Sequence, residues 1–290
     1  MHFRKSTLRA AVLAVIACSV LATAKPTVQQ VGPGLYAYIS DNDASANSTF
    51  LVGRAGVLVV DTGLNAAEGT KLLGAIRQVS RLPVKFIINT HYHPDHQGGN
   101  AAVGPDAVVI TTDFTRDRTL ALMQSPEMKG FQFRPANVTF QKGVTVYLDP
   151  YSADVYFPGK AHTSGDALVY FPQQRVLAAG DLFLNRSSPA MDIGSAVNWI
   201  HALDHALELP LEHVVPGHFE LGSKADLQRF RDYLSDLFQQ VRTMRQEGDS
   251  LEQVRQNIKM EKYADFRQFP KYQATFADNA TVIYQQLQAR

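Results

Sequence analysis

Cysteine is almost missing from this chain, since Cys18 is the only one among 290 residues. One thiol cannot form a disulfide within the chain, and it excludes zinc or iron–sulfur sites that are built from several cysteines. Cys18 lies in the segment that is predicted below to be removed, so any metal site of the mature chain must use histidine and carboxylate ligands, which suit zinc, iron or manganese.

An excess of charge of one sign is also missing. The chain has 28 Lys and Arg residues against 27 Asp and Glu residues, a net charge of +1. No basic stripe favours nucleic acid, and no acidic excess favours disorder. With 45% hydrophobic residues the chain can form a sizeable core. We expect a small-molecule substrate and no nucleic acid as partner, and the sequence indicates no oligomeric state.

Long hydrophobic runs are missing except for residues 10–21. This run follows Arg4, Lys5 and Arg9 and precedes the small residues 22–24, a pattern typical of a secretory signal. It is too short to span a bilayer as a helix. We predict a signal peptide over residues 1–24, a periplasmic or secreted protein, and no transmembrane span after processing.

Two alternatives concern the same segment. Residues 15–18 could serve as a lipoprotein signal that ends before Cys18, which would leave a lipid anchor on Cys18 and an outer or inner membrane lipoprotein. An uncleaved anchor is the other alternative.

Residues 25–290 contain no low-complexity tract, charge run or flexible linker, so we predict one catalytic domain that includes C-terminal helices over residues 223–290. The order of strands and helices indicates an α/β protein with two sheets and covering helices. Helical patterns cover residues 72–79, 197–207 and most of the chain from 224 onward. Apolar, β-branched segments that predict strands are residues 35–39, 50–52, 57–60, 84–88, 107–111, 144–148, 155–157, 167–171 and 175–179.

Metal-binding residue types concentrate directly after the predicted strand 84–88. There the chain reads His91-Tyr-His93-Pro-Asp95-His96. Pro94 cannot continue the strand, so these residues lie on a tight turn where side chains can converge.

One loop rarely completes a metal site, so further ligands are expected downstream. His162, Asp181 and His218 each stand at the end of a strand or turn, beside a glycine or proline. Each alone would be an ordinary turn residue, but as a set that follows the first motif they are candidate ligands.

These residues, together with the segment 59–63 that contains Asp61, resemble the metallo-β-lactamase superfamily, and the match runs from about Val31 to His218. The resemblance implies an αββα sandwich of two mixed β-sheets covered by helices, with the metals at one edge between the sheets and a C-terminal helical extension. It also implies that Asp61 orients a metal ligand, although a turn-forming role for Asp61 is equally open.

The resemblance implies a binuclear ligand set similar to that of glyoxalase II. His91, His93 and His162 would hold one metal ion, Asp95, His96 and His218 would hold the second, and Asp181 would bridge them. The implied cofactor is Zn²⁺, two per chain, with iron or manganese as other options.

The implied function is an exported binuclear zinc-dependent hydrolase. A metal-bridging hydroxide would cleave an ester, thioester, lactone or amide bond, with β-lactams among the amides. Asp95 would be the catalytic residue that orients the hydroxide and relays its proton. The alternative is a mononuclear iron oxygenase similar to persulfide dioxygenases, and a non-catalytic metal-binding protein is a third interpretation.

Specificity is expected in residues 112–140 and in the C-terminal helices, because loops outside the common motif tend to carry it. Phe114, Met123, Met128, Phe131 and Phe133 could line a substrate pocket or pack in the core. His201 and His205 have ligand-like spacing on a predicted helix, but we expect them to be ordinary surface residues.

Overall fold

The structure is a computed structural model that describes residues 26–191 and 194–288. The predicted signal peptide and Cys18, with its alternative lipid anchor, lie outside the described residues. Among the described helices, none has both the length and the apolar character needed to cross a membrane.

Seven strands of the described chain form the first sheet, and they lie side by side in chain order. The first four pair in antiparallel fashion, and the fourth to the seventh pair in parallel. The strands are β1 (Thr27–Gly32), β2 (Leu35–Ile39), β3 (Ser48–Val52), β4 (Val57–Val60), β5 (Val84–Ile88), β6 (Val108–Thr112) and β7 (Val138–Phe140).

The second sheet contains five strands of the described residues, in the order β12-β11-β10-β9-β8. All neighbours are antiparallel except β11 and β12, which are parallel. The strands are β8 (Gly143–Leu148), β9 (Tyr151–Tyr156), β10 (Leu168–Phe171), β11 (Val176–Gly180) and β12 (His213–Pro216).

Helices connect the parallel strands and form a C-terminal extension. The helices are α1 (Ala66–Val79), α2 (Pro94–Gln97), α3 (Asn100–Val103), α4 (Asp113–Met123), α5 (Ala196–Glu208), α6 (Lys224–Gln246), α7 (Leu251–Asn257) and α8 (Phe276–Gln288). Short 3₁₀ turns lie at Pro126–Met128, Glu261–Tyr263 and Pro270–Tyr272.

Three apolar clusters hold the layers together. One lies between the two sheets, one between the first sheet and α1, and one between the second sheet and the helices α5 to α8. Every residue of β4 and β10 is buried, because both faces of these strands are covered. This explains why they appear in the sequence as continuous apolar runs rather than as alternating patterns. The predicted sandwich of two mixed sheets covered by helices is confirmed.

The structure differs from the sequence prediction in its least apolar elements. Strand β1 was not predicted, because four of its six residues are polar or glycine and only one is buried. Strand β7 is only three residues long. Helix α4, capped by the Thr112 hydroxyl, lies inside the segment expected to be an insertion, and it buries only Thr115 and Thr119. The helical pattern from residue 224 onward is interrupted between α7 and α8.

The segment between α7 and α8 packs against the chain that follows β11. Arg267 forms a parallel bridge with Ser187, and the Ser188 amide donates to the Arg267 carbonyl over 2.9 Å. Deeper in the structure, Asn279 of α8 donates to the Ser188 hydroxyl and to the Tyr233 hydroxyl, 2.9 Å in each case. The C-terminal extension is therefore attached to the segment that follows Asp181.

Candidate metal centre

The loop that follows β5 carries four of the predicted donor residues. His91 and His93 lie before α2, and Asp95 and His96 lie on it. Pro94 is the first residue of this helix, a position that its fixed φ angle favours. The chain therefore turns directly after His93, which keeps the four donors close together.

Glycine allows this loop to pack directly against the connection between β4 and α1. A Cβ atom on Gly98 would lie 1.9 Å from the Leu64 carbonyl oxygen, and one on Gly99 would lie 2.1 Å from the Thr62 carbonyl oxygen. No side chain fits in these spaces, so the close approach of the two loops depends on both glycines.

The other donors stand where elements of the second sheet end. His162 lies in the connection between β9 and β10, Asp181 follows β11 directly, and His218 follows β12. Because β11 and β12 are parallel, their carboxyl ends meet at the same edge of the sheet. This edge faces the loop after β5.

Among the described residues, two groups of side chains have donor atoms close enough to hold a metal ion. The first cluster is His91, His93, His162 and Asp181, and the second cluster is Asp95, His96 and His218. Within each cluster the donor atoms all lie within 4.8 Å of one another. The structure thus brings together all the residues that the sequence analysis selected as ligands.

In the first cluster, His93 lies between the other two histidines. Its Nδ1 atom is 2.9 Å from His91 Nε2 and 3.3 Å from His162 Nε2. The Oδ2 atom of Asp181 lies 3.9 Å from His91 Nε2 and 3.6 Å from His162 Nε2. Ligands of a tetrahedral zinc ion, each about 2.0–2.1 Å from the metal, are separated by similar distances.

In the second cluster, the Oδ2 atom of Asp95 is 3.1 Å from His218 Nε2 and 3.5 Å from His96 Nε2. The other carboxylate oxygen of Asp181, Oδ1, lies 3.1 Å from His96 Nε2 and 3.6 Å from His218 Nε2. Asp181 therefore directs one oxygen toward each cluster, which is the arrangement that a bridging ligand requires.

Buried donor atoms without hydrogen bonds support metal binding at these clusters. His96 Nε2 and Asp181 Oδ1 are buried, and neither forms a hydrogen bond of acceptable geometry within the described residues. Buried polar atoms are rarely left in this condition unless an ion or water completes them. The donor set of imidazole nitrogens and carboxylate oxygens therefore fits zinc, and also iron or manganese.

Asp61 contacts one of these histidines directly. Its Oδ2 atom lies 2.7 Å from His96 Nδ1 and accepts a hydrogen bond from the Thr90 hydroxyl over 2.7 Å. Its Oδ1 atom accepts from the Thr90 amide over 2.8 Å. An ionised carboxylate accepts hydrogen bonds and donates none, so Nδ1 of His96 carries a proton. Nε2 is then the nitrogen that faces the second cluster and can bind a metal ion.

Burial and charge act against each other at the histidines of the second cluster. Burial would lower the pKa of His96, but the charges of Asp181, Asp61 and Asp95 outweigh it and raise this pKa well above its ordinary value. The same competition raises the pKa of His218, through Asp181 and Asp95. At both histidines a metal ion that binds Nε2 therefore competes with a proton.

The charge state differs in the first cluster. Burial, together with the positive charges that His96 and His93 can carry, lowers the pKa of His91 well below its ordinary value. Burial would raise the pKa of Asp181, but His96 and His218 lower it far below the ordinary range. A neutral imidazole and an ionised carboxylate are the forms that bind metal ions.

A cavity of about 700 Å³ opens beside the two clusters. His93, Asp95, His162, Asp181 and His218 line it together with the aromatic rings of Phe131, Phe219 and Phe269. Its size is in the range of cavities that bind small molecules.

The sequence analysis located only part of the cavity wall. Of the five residues from the 112–140 segment that it considered, only Phe131 lines the cavity in the described structure. Phe219 and Phe269 were missed, and the only available signal was the position of Phe219 next to His218. His201 and His205 are exposed on α5 and belong to neither cluster, as expected.

Comparison with protein families places these observations in context. The sequence model of the metallo-beta-lactamase superfamily matches residues 41–218, a range that contains every donor residue of both clusters.

Individual relatives are similar over different shares of the chain. A metallo-beta-lactamase type 2 from Elizabethkingia meningoseptica is 26% identical over 227 residues, which cover 74% of this chain and 87% of that protein. The 2,4-dinitroanisole O-demethylase subunit alpha of Nocardioides sp. (strain JS1661) is 30% identical over 172 residues, 58% of this chain, and this match spans about half of that protein's length (50%).

Among solved structures, the inverting sec-alkylsulfatase Pisa1 from Pseudomonas sp. superposes with a TM-score of 0.73 at 17% identity. The superposition covers 90% of this chain and 50% of that one. At this identity the likeness concerns the fold alone.

Proposed function

The chain belongs to the metallo-beta-lactamase superfamily, and from this premise we propose that it is an exported hydrolase that binds two zinc ions. Its substrate is a small molecule with an ester, thioester, lactone or amide bond, and β-lactams are one class among the amides. The observation that carries the proposal is the Asp181 carboxylate, which directs Oδ1 toward the second cluster and Oδ2 toward the first.

The chemistry that two divalent ions supply at such a site is a water of lowered pKa and polarisation of the oxygen at the scissile bond. The histidines of both clusters would bind these ions. Asp61 would hold one proton of His96 at Nδ1 by accepting its hydrogen bond, so that Nε2 is the nitrogen that binds the ion. Iron or manganese would fit the same donors.

Asp95 is the residue in position to accept a proton from the attacking water. Its carboxylate lines the cavity and lies within 3.5 Å of both His96 and His218. Burial would raise the pKa of Asp95, but the charges of His96 and His218 outweigh it and lower this pKa. The carboxylate is therefore ionised at neutral pH, orients the water and accepts its proton.

The second candidate function is a mononuclear iron oxygenase similar to persulfide dioxygenases. The first cluster supports it, because three histidines and Asp181 already suffice to hold one ion. The second cluster favours the hydrolase, since its donors converge as closely as those of the first. Oxygen uptake in the presence of a thiol persulfide would identify the oxygenase.

The test is turnover on a panel of lactam, lactone, ester and thioester substrates with purified variants. Asp95→Ala and His162→Ala should each abolish turnover while the circular dichroism spectrum stays unchanged. His205→Ala is the matched control, because this histidine is exposed and lies in neither cluster. Full activity in Asp95→Ala or His162→Ala would contradict the proposal.

Export is part of the proposal and depends on residues 1–24. A mass measurement on the protein recovered from a bacterial periplasm should give a chain that begins at Lys25. A chain that begins at a lipidated Cys18 would identify the lipoprotein alternative, and an intact N-terminus in the cytoplasm would contradict export.

A further inference from the structure

We propose that the cavity beside the two clusters is a binding site for the uncharged aromatic or alkyl part of the substrate, and that Phe131, Phe219 and Phe269 determine this specificity. The inference rests on the proposed hydrolase function and names its substrate class. We call the part of the cavity that Phe131, Phe219 and Phe269 form the aromatic subsite.

The three rings of the aromatic subsite come from distant parts of the chain. Phe131 follows α4, Phe219 is the residue next to His218, and Phe269 lies between α7 and α8. All three line the same cavity as Asp95 and Asp181. A molecule whose apolar part contacts the rings therefore has its other end at the two clusters.

Phe219 and Phe269 form one preorganised wall. Their ring planes are nearly parallel, at 4°, with centroids 5.7 Å apart. The Arg267 guanidinium lies over the Phe219 ring, 4.6 Å from its centroid, and is also paired with Glu220. Stacking and a cation–π contact keep both rings in position, so little ordering is required when a ligand binds.

The backbone at Phe219 gives an independent indication that this ring is needed. Phe219 has a φ angle of +70°, a conformation that favours glycine and is strained for a bulky residue. The carbonyl of Phe219 accepts a hydrogen bond from the side-chain amide (Nδ2) of Asn47 over 2.8 Å, which stabilises the strained conformation. A phenylalanine where the backbone favours glycine points to a requirement for the side chain in the cavity.

The third ring is more exposed than an ordinary apolar side chain. Phe131 is 38% exposed and stacks on Phe133, with centroids 5.6 Å apart and planes at 15°. Exposed apolar surface that borders a cavity of this size is typical of ligand sites, because a bound apolar group removes that surface from water.

Charge at the cavity wall selects against anionic groups. In the part of the chain that the structure describes, no lysine or arginine lines the cavity, whereas Asp43 does. Arg267 stands behind Phe219, and Glu220 neutralises its charge. A carboxylate or sulfate at the distal end of a ligand would therefore lose water without gaining a cationic partner.

The test uses amides that differ only in their distal part, measured by ligand-observed NMR titration with both metal-loaded and metal-free protein. The ligands are butanamide and octanamide. Full burial of four additional methylene groups corresponds to roughly two-hundredfold in affinity. In this partly open cavity we expect octanamide to bind about tenfold or more tightly than butanamide.

Phe269→Ala and Phe131→Ala should each weaken octanamide binding severalfold and leave butanamide binding unchanged, whereas Phe269→Leu should retain most of the affinity. Tyr147→Ala is the matched control, because this aromatic side chain is 75% exposed on β8 and does not line the cavity. Thermal melting of each variant verifies that it is folded.

Two results would overturn the aromatic subsite: equal binding of butanamide and octanamide, or octanamide binding that is unchanged in both Phe131→Ala and Phe269→Ala. The proposed hydrolase function is tested separately. A protein that prefers octanamide but hydrolyses no ester, thioester, lactone or amide would support the subsite and contradict the hydrolase, and hydrolysis without any chain-length preference would do the reverse.

Discussion

The substitution Asp61→Asn tests how the second cluster is kept ready for a metal ion. In the protein, Oδ2 of Asp61 accepts from the Thr90 hydroxyl and from His96 Nδ1, and Oδ1 accepts from the Thr90 amide. An asparagine keeps one oxygen for the Thr90 amide but directs an NH₂ group toward the Thr90 hydroxyl and His96. Two donors would then face each other at His96 Nδ1.

The magnitude follows from the interaction that is lost. A buried hydrogen bond to a charged group contributes about 1.5–3 kcal/mol, which corresponds to roughly 10–150-fold in an equilibrium constant. His96 would shift to the tautomer with its proton on Nε2, the atom that the second cluster presents to the metal. We therefore expect zinc affinity at the second cluster to fall about 10–100-fold. The first cluster should lose less, because Asp61 reaches His91 only through the Thr90 hydroxyl.

The assay is competition for zinc with a chromogenic chelator, which resolves the first and second equivalents. Asp236→Asn is the control, since Asp236 accepts hydrogen bonds from Lys262 and Tyr263 on the helical extension, away from both clusters. Unchanged affinity for the second equivalent in Asp61→Asn, or an equal loss at both clusters, would refute the assigned role of Asp61.

Four further predictions follow from the structure. Gly217→Ala should reduce bound zinc below two ions per chain, because the added Cβ would lie 1.9 Å from Asp181 Oδ1. A Cβ at Gly74 meets no neighbour, so Gly74→Ala should raise the free energy of unfolding, measured with urea, by about 0.5–1 kcal/mol. Zinc affinity, measured by calorimetry, should fall as the pH falls through the raised pKa of His218. The loss is up to about tenfold per pH unit for each proton that zinc must displace. Asn279→Ala should lower the free energy of unfolding by about 1–3 kcal/mol, because it removes two buried hydrogen bonds, and an unchanged urea midpoint would contradict this.

The fold and the donor clusters could be predicted from sequence because their signals are local. The buried strands β4 and β10 are continuous apolar runs, and His91 to His96 stand on one turn shortly after the mostly apolar strand β5. Asp181 and His218 follow the parallel strands β11 and β12, whose carboxyl ends meet at one edge of the sheet, and His162 lies in the connection between β9 and β10. Local patterns therefore carried most of the information about which residues meet.

Of the aromatic subsite only Phe131 was a candidate from the sequence, because the rest depends on contacts between distant segments. Phe269 reaches the cavity only because Arg267 pairs with the chain at Ser187 and because α8 is attached to Ser188 through Asn279. No periodicity in the sequence indicates such contacts. The strand β1 was missed for a different reason, since its polar, exposed residues lack the apolar alternation that predicts a strand.

The most direct test of the central proposal is the metal content of the protein, purified without added metal, by elemental mass spectrometry. When both clusters are filled and Asp181 bridges them, the protein contains about two zinc ions per chain, which is the result we predict. About one iron ion per chain would contradict the binuclear hydrolase in favour of the oxygenase. No bound metal would contradict the assignment of both clusters as metal sites.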